Sequence, residues 1–160
     1  MRVVCNTSPV ILLAKIGRLD LLARLYDQII IPASVLDEIE AKPGQETERI
    51  TALVKNQTFE VQRASRKILE GLPADLGVGE REAIALAIET QADLVMLDDQ
   101  QGRRIAREAE LSVTGTVGLL VEARGRGIIT SVRRELDRLI EAGMWIDEAF
   151  YHRVLQEFYE

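Results

Sequence analysis

The sequence predicts an α/β fold: a mostly parallel central sheet of four to five strands with helices on both sides, in three layers. Apolar segments short enough for strands alternate with amphipathic segments long enough for helices. The segment 93–97 is nearly continuously apolar, which is typical of a strand buried on both faces of a parallel sheet. Strands separated by helices run parallel in such folds, and a length of 160 residues suits one domain spanning residues 1–160.

The first half of the chain begins with a short apolar strand at 2–6. Thr7 or Ser8 can cap the following helix, which has Pro9 in its first turn and ends near Gly17. A short helix at 19–25 and a strand at 28–31 are predicted next. Two helices, at 32–41 and 46–55, and a strand at 59–62 follow them.

The second half contains the clearest helix of the chain, at 80–90, directly before the buried strand. Residues 71–79, in front of that helix, hold three glycines and a proline and are predicted to be a loop. A helix is predicted at 102–109 and a short strand at 112–114. Beyond residue 115 the chain is predicted to form three helical pieces separated at glycines.

Composition excludes several classes of protein. Apolar residues make up 47% of the chain and charged residues 29%, which is the balance of a globular protein. No apolar stretch approaches the roughly 18 residues that a membrane span requires, and the first residues lack the apolar region of a secretion signal. The single cysteine, Cys5, cannot form an internal disulfide. These observations predict a cytoplasmic protein that has no membrane partner.

The charge is distributed unevenly along the chain. A net charge of −6 opposes broad, nonspecific attraction to nucleic acid. Residues 101–140 nevertheless carry eight arginines against five acidic side chains, whereas the first hundred residues sum to −5. This basic segment, which includes Arg103 and Arg104, can flank an acidic centre and bind a phosphodiester substrate, or it can form a solvated helical face with i,i+4 partners.

Acidic and amide side chains are predicted to gather at one edge of the sheet. Asn6 ends the first strand, and Asp98 and Asp99 follow the fourth, so all three belong at the carboxyl edge, where open parallel sheets bind ligands. Carboxylates held together there are costly unless a cation binds them, which predicts a metal site. The sequence has no Walker loop, dinucleotide fingerprint or clustered Cys/His pattern, so nucleoside triphosphate, dinucleotide and zinc sites lack support.

Two helices contribute further acidic candidates. Glu80 lies in line with the apolar stripe of its helix, where it is either a metal ligand or a favourable charge at the helix N-terminus, whereas Glu82 is predicted to point to solvent. Glu38 and Glu40 flank the apolar face of an earlier helix on opposite sides, so periodicity does not choose between them.

Four segments of the chain form a specific combination. They are VVCNTSPVILLAKIGRLDLL, IIIPASVLDEI, GVGEREAIALAIETQADLVMLDDQQGRRIA and EAGMWI. Together they resemble a PIN-like domain of a prokaryotic subfamily related to toxin ribonucleases (VapC-like), and the likeness covers nearly the whole chain. PIN domains are small α/β metal-dependent ribonucleases. The resemblance therefore implies an endoribonuclease that uses Mg²⁺ or Mn²⁺, acts on RNA and forms a homodimer.

The resemblance also implies roles for individual residues. The family's acid after the first strand falls on Asn6, the helical glutamate of its V-x-x-E pattern on Glu38, the acid that opens the central helix on Glu80, and the acid after the fourth strand on Asp99, with Asp98 as an adjacent candidate. These five side chains would hold the metal ion. Two hydroxyl side chains that follow the first-strand position in the family pattern would orient it or touch the ion: Thr7 and Ser8.

Asn6 departs from the family pattern, which usually has aspartate there. Asparagine keeps one oxygen ligand and removes one negative charge, so the predicted affinity for Mg²⁺ or Mn²⁺ falls. Two hypotheses follow. The first is an active endoribonuclease, the toxin of a toxin-antitoxin pair, with an antitoxin protein as partner. The second is a catalytically weakened PIN-like module that binds RNA or a protein without cutting.

Aromatic side chains concentrate in the last sixteen residues, where they indicate a packing face, an oligomer contact or a seat for the antitoxin. They are Trp145, Phe150, Tyr151, Phe158 and Tyr159.

Overall fold

The computed structural model describes residues 1–160 and contains one sheet of five strands that all run parallel. In chain order, β1 to β5 are Arg2–Cys5, Gln28–Pro32, Phe59–Gln62, Leu94–Met96 and Val113–Thr114. Their order across the sheet is β3-β2-β1-β4-β5, so β1 is the central strand. The predicted α/β class with a parallel central sheet is confirmed.

Ten helices cover the two faces of the sheet. From α1 to α10 they are Thr7–Lys15, Asp20–Leu25, Ala33–Glu40, Gln45–Lys55, Arg66–Glu70, Val78–Glu89, Gln100–Glu108, Thr116–Gly125, Val132–Glu141 and Glu148–Gln156. None of them combines the length and the apolar composition needed to cross a bilayer.

The central strand separates two apolar cores, because successive side chains of a strand point to opposite faces. Val3 and Cys5 point into the core that α1, α2, α8 and α9 cover, whereas Val4 points into the core that α6 and α7 cover. Val4 is paired with Ile30 of β2 and Val95 of β4, which point to the same side. The sheet is therefore buried on both faces, as the apolar composition of β4 predicts.

Three local predictions need correction. The predicted loop at 71–79 ends two residues early, because Gly77 occupies the N-cap position and α6 already begins at Val78. The helix α5 was not predicted. Neither Thr7 nor Ser8 caps α1, since the N-cap residue is Asn6, whose side chain makes no capping hydrogen bond.

Candidate active site

A cleft of about 500 Å³ lies at the carboxyl end of β1, between α1, α3 and the start of α6. We term it the acidic cleft. Five of the residues that the sequence nominated line it: Asn6, Thr7, Ser8, Glu38 and Glu80.

Asn6 is the buried centre of the acidic cleft, with 3% of its surface exposed. Its Nδ2 donates a hydrogen bond to Glu80 Oε1 over 3.2 Å. Its Oδ1 is buried and accepts no hydrogen bond. The reverse orientation of the amide would place two oxygens against each other, so Glu80 determines which way the amide faces. One buried oxygen is therefore left for a ligand.

Gly79 allows α6 to approach this oxygen closely. A Cβ atom at position 79 would lie 3.0 Å from Asn6 Oδ1 and 3.3 Å from Glu38 Oε2. The amide oxygen and the glutamate oxygen thus face the same point of the α6 backbone. Glu80, the next residue of the helix, joins them in the acidic cleft.

Glu38 is exposed and is oriented by a neighbouring hydroxyl. Thr7 Oγ1 donates a hydrogen bond to Glu38 Oε2 over 2.8 Å. Glu40, which periodicity could not distinguish from Glu38, is exposed and does not line the cleft. The packing of α3 against the sheet thus makes the choice that the sequence left open.

The two adjacent aspartates after β4 point in different directions. Asp99 caps α7, because its Oδ2 accepts a hydrogen bond from Gly102 N over 2.7 Å. A Cβ atom at Gly102 would lie 3.4 Å from Asp99 Oδ2 and 3.6 Å from Glu80 Cγ. Asp99 and Glu80 thus both approach Gly102, but Asp99 does not line the acidic cleft.

Asp98 faces away from that group and toward the start of α8. Its Oδ1 accepts from Thr116 N over 2.8 Å, and its Oδ2 accepts from Thr116 Oγ1 over 2.6 Å. The structure thus brings Asp99 to Glu80 and leaves Asp98 in a second cavity.

The arginines nominated for substrate binding also lie outside the acidic cleft. Arg103 lines the second cavity, and its Nη1 donates to the carbonyl oxygen of Leu97 over 2.9 Å. Arg104 is exposed and lines neither cavity.

Two lysines that sequence reasoning missed line the acidic cleft instead: Lys15 and Lys42. Lys15 lies seven residues after Ser8 on α1, which places both on the same side of the helix. Lys42 follows Glu38 by four residues, just beyond α3. These spacings were the available signals, and they become informative only once the cleft is known.

Glu82 is buried, contrary to the prediction that it points to solvent, with 8% of its surface exposed. Its Oε1 accepts from Ser34 N and Ser34 Oγ over 2.8 and 2.7 Å, and its Oε2 accepts from Ala64 N over 3.2 Å. It thus joins α6 to the first turn of α3. This connection fixes the helix that carries Glu80 relative to the helix that carries Glu38.

Cys5 is excluded as a nucleophile by its surroundings. The side chain is completely buried in the core next to β2 and β4. Burial raises the pKa of the thiol to about 12, so it stays protonated at neutral pH.

The donor atoms of the acidic cleft fit a hard divalent cation. No group of three or more His, Cys, Asp or Glu side chains is arranged so that it could hold a metal ion. The cleft instead combines two carboxylates, Glu38 and Glu80, with the unpaired amide oxygen of Asn6. Mg²⁺ and Mn²⁺ take oxygen ligands of these kinds, whereas the sulfur and imidazole ligands typical of zinc are missing from the cleft.

A family model described as PIN domain matches residues 2–160. A search of curated proteins gives no match.

Proposed function

The chain belongs to the PIN domain family, and from this premise we propose that it is a divalent-metal-dependent endoribonuclease whose active site is the acidic cleft. Family membership associates the chain with nuclease-type activity in general. Mg²⁺ or Mn²⁺ as cofactor and hydrolysis of RNA phosphodiester bonds are the finer parts of the proposal. The observation that carries it is the buried, unpaired Oδ1 of Asn6 beside Glu38 and Glu80.

Asn6, Glu38 and Glu80 would hold the ion in the acidic cleft. Asp99, which caps α7 and does not line the cleft, is proposed as a further ligand because it follows the fourth strand at the same edge of the sheet. A bound divalent ion supplies an activated water and stabilises the charge that develops on the phosphodiester during in-line attack.

The chain's own residues orient the ligands and attract the substrate. Thr7 Oγ1 holds the carboxylate of Glu38, and Asn6 Nδ2 holds that of Glu80. Lys15 and Lys42 place two positive charges in a cleft that otherwise carries acids, and these attract the phosphates of RNA. No histidine lines the cleft, since the single His152 lies exposed on α10 next to Glu148. The proton for the leaving 3′ oxygen would therefore come from water or from one of the two lysines that line the cleft.

Three further parts of the proposal rest on the length and composition of the chain and on its resemblance to toxin ribonucleases. They are one catalytic domain over residues 1–160, a homodimer, and a cytoplasmic toxin role in which an antitoxin protein inhibits the nuclease. Inspection of the neighbouring gene for a small antitoxin tests the last of these, and light scattering tests the dimer.

The hydrogen bond between Asn6 and Glu80 favours a second candidate, a module that binds RNA or a protein without cutting. An aspartate at position 6 would repel Glu80 in the absence of a cation, whereas asparagine donates to it. The carboxylate of Glu80 is thus stabilised by a hydrogen bond even without a metal ion, so the cleft depends less on a bound cation.

Cleavage of a panel of single-stranded and structured RNAs in Mn²⁺, Mg²⁺ or EDTA distinguishes the two candidates. We expect metal-dependent cutting by the native protein and a loss on the order of 100-fold in Glu80→Gln and Asp99→Asn. Glu89→Gln, on the exposed side of the same helix, is the matched control and should cut normally.

Cutting that persists in EDTA, or in both site variants, would contradict the proposed active site. An inactive native protein that gains activity as Asn6→Asp would establish the second candidate, because the added charge would then restore the missing metal affinity.

A further inference from the structure

A second cavity, of about 640 Å³, lies at the same edge of the sheet, at the ends of β4 and β5. We term it the aromatic pocket, because Trp145 and Phe150 line it. Arg103, Gly115 and Arg153 line it as well. It shares no lining residue with the acidic cleft, but the two are neighbours, since Gly143 lines the cleft and Met144 lines the pocket.

Trp145 presents an aromatic surface that the fold does not use. It is 84% exposed and is the only tryptophan of the chain. Phe150, on the same side, is 38% exposed. The sequence left open whether the aromatic side chains near the C-terminus form a packing face. Trp145 does not take part in such packing, because most of its side chain is exposed. A flat, exposed ring beside cationic groups is the kind of surface on which nucleic-acid bases stack.

The charges of the aromatic pocket favour an anionic ligand. Its two carboxylates are already engaged, because Asp98 accepts two hydrogen bonds from Thr116 and Asp147 caps α10 by accepting from Phe150 N over 3.1 Å. Its two arginines form no ion pair with any carboxylate of the chain. Arg103 donates to a backbone carbonyl, and the guanidinium of Arg153 lies 5.8 Å from the centre of the Phe150 ring.

Gly115 permits the close arrangement of charges at the inner end of the pocket. A Cβ atom there would lie 2.7 Å from Asp98 Oδ1 and 2.8 Å from Arg103 Nη1. Without a side chain at this position, Asp98 can reach the start of α8 while Arg103 lies beside it. The arginine is thus held at this end of the pocket by the carbonyl oxygen of Leu97, and its remaining N–H groups are available to a phosphate.

We propose that the aromatic pocket binds an unpaired nucleotide of the RNA substrate next to the scissile bond, with the base stacked on Trp145 and a phosphate bound by Arg103 and Arg153. This inference rests on the proposed function, in which the acidic cleft cuts the same strand. The ends of β1 and β5 are two strand spacings apart, about 10 Å. A short single-stranded segment spans this distance over the turn at 143–144. The pocket therefore selects single-stranded RNA over a duplex, whose stacked bases cannot reach the ring.

The unique tryptophan makes the contact directly observable. Titration of the native protein with a short unstructured oligoribonucleotide in EDTA, so that no cutting occurs, should quench the tryptophan fluorescence in a saturable way. A duplex of the same sequence should quench it far less. We expect Arg153→Gln to weaken the apparent affinity by about tenfold. Arg66→Gln is the matched control, because Arg66 is exposed on α5 next to Glu70 and should leave the titration unchanged.

A second measurement is needed for variants of Trp145, because they lack the tryptophan whose fluorescence reports binding. Binding of end-labelled RNA, followed by fluorescence anisotropy, should weaken by about tenfold in Trp145→Ala and by much less in Trp145→Phe, which keeps a ring. Equal binding by native protein and Trp145→Ala would overturn the inference.

The outcomes separate this inference from the proposed function. Cleavage without fluorescence quenching would leave the nuclease standing and overturn the pocket. Saturable quenching without cleavage would support the pocket and count against the nuclease. A tryptophan emission maximum that shifts with protein concentration in the absence of RNA would assign Trp145 to a contact between two copies of the chain. This result would also overturn the inference.

Discussion

Gly79 controls how closely α6 approaches the oxygens on the other side of the acidic cleft. A methyl group at this buried position would lie 3.0 Å from Asn6 Oδ1 and 3.3 Å from both Glu38 Oε2 and Val35 Cγ2. Alanine would favour the helix by about 1 kcal/mol relative to glycine. Glycine at position 79 therefore makes α6 less stable locally but allows it to lie close to Asn6 and Glu38.

We expect Gly79→Ala to impair the site more than the fold. The methyl group would push Asn6 and Glu38 outward, so RNA cleavage and the thermal shift caused by Mn²⁺ should fall, with cleavage reduced by about tenfold or more. In EDTA the midpoint of thermal unfolding should stay within about 4 °C of the native value. Gly125→Ala is the control, since nothing lies within 4 Å of a Cβ atom there. A Gly79→Ala protein with native activity would show that the spacing is immaterial.

At the residue scale, the sequence predicted side chains whose position follows from the end of a strand and missed those whose position follows from packing. Asn6 directly follows β1, and its place at the sheet edge needed no further information. The choice between Glu38 and Glu40 depends on how α3 lies against its neighbours, which periodicity does not encode. Asp98 and Asp99 are adjacent in sequence, yet backbone donors on two different helices hold them apart, so that only Asp98 lines the aromatic pocket.

At the scale of the elements, α6 is more buried than a helix that lies on the protein surface. Seven of its twelve residues are buried, including Glu82. The sheet, α3, α5 and α7 all contact this helix. A single apolar stripe therefore describes only part of its environment, and the solvent-facing position predicted for Glu82 was wrong for this reason. Its carboxylate instead accepts hydrogen bonds from two backbone amides, those of Ser34 and Ala64.

We expect Glu82→Ala to destabilise the protein by about 3 kcal/mol, because it leaves these two amides without an acceptor. Urea denaturation followed by circular dichroism measures this change. Glu89→Ala is the control on the same helix, where the side chain is exposed and accepts only from Ser65 N over 3.3 Å. The control should change stability by less than about 0.5 kcal/mol. Equal effects of the two substitutions would contradict the role assigned to Glu82.

For the molecule as a whole, one contact joins the last residue to the layer that covers the larger core. The Glu160 carboxylate accepts from Ser131 Oγ over 2.7 Å and from Val132 N over 3.0 Å, at the start of α9. Burial raises the pKa of this carboxyl, but the hydrogen bonds from Ser131 and from the backbone of Val132 and Arg133, with the charge of Arg124, hold it below its ordinary value. The ionised form is therefore favoured by folding.

A pKa lowered by folding gives stability that is complete above the ordinary glutamate value and is lost as the pH falls through the folded value. Between about pH 7 and pH 3, the midpoint of thermal unfolding should thus fall further in the native protein than in Glu160→Gln, by about 2 °C. Glu157→Gln is the control, because Glu157 is exposed on the same terminal segment. Parallel curves for the native protein and Glu160→Gln would show that this contact does not contribute.

The position of β1 in the middle of the sheet has a consequence for synthesis of the chain. Its partners are β2, which follows within thirty residues, and β4, whose Leu94 pairs with Val3 only after some ninety residues have been added. At roughly 5–20 residues per second, the ribosome exposes Asn6 and Glu38 several seconds before Glu80 and Asp99. A nascent chain holds half of the proposed ligands and no complete cleft throughout that interval. If the acidic cleft cuts RNA as proposed, the messenger and ribosomal RNA around the nascent chain would meet no complete site during that interval.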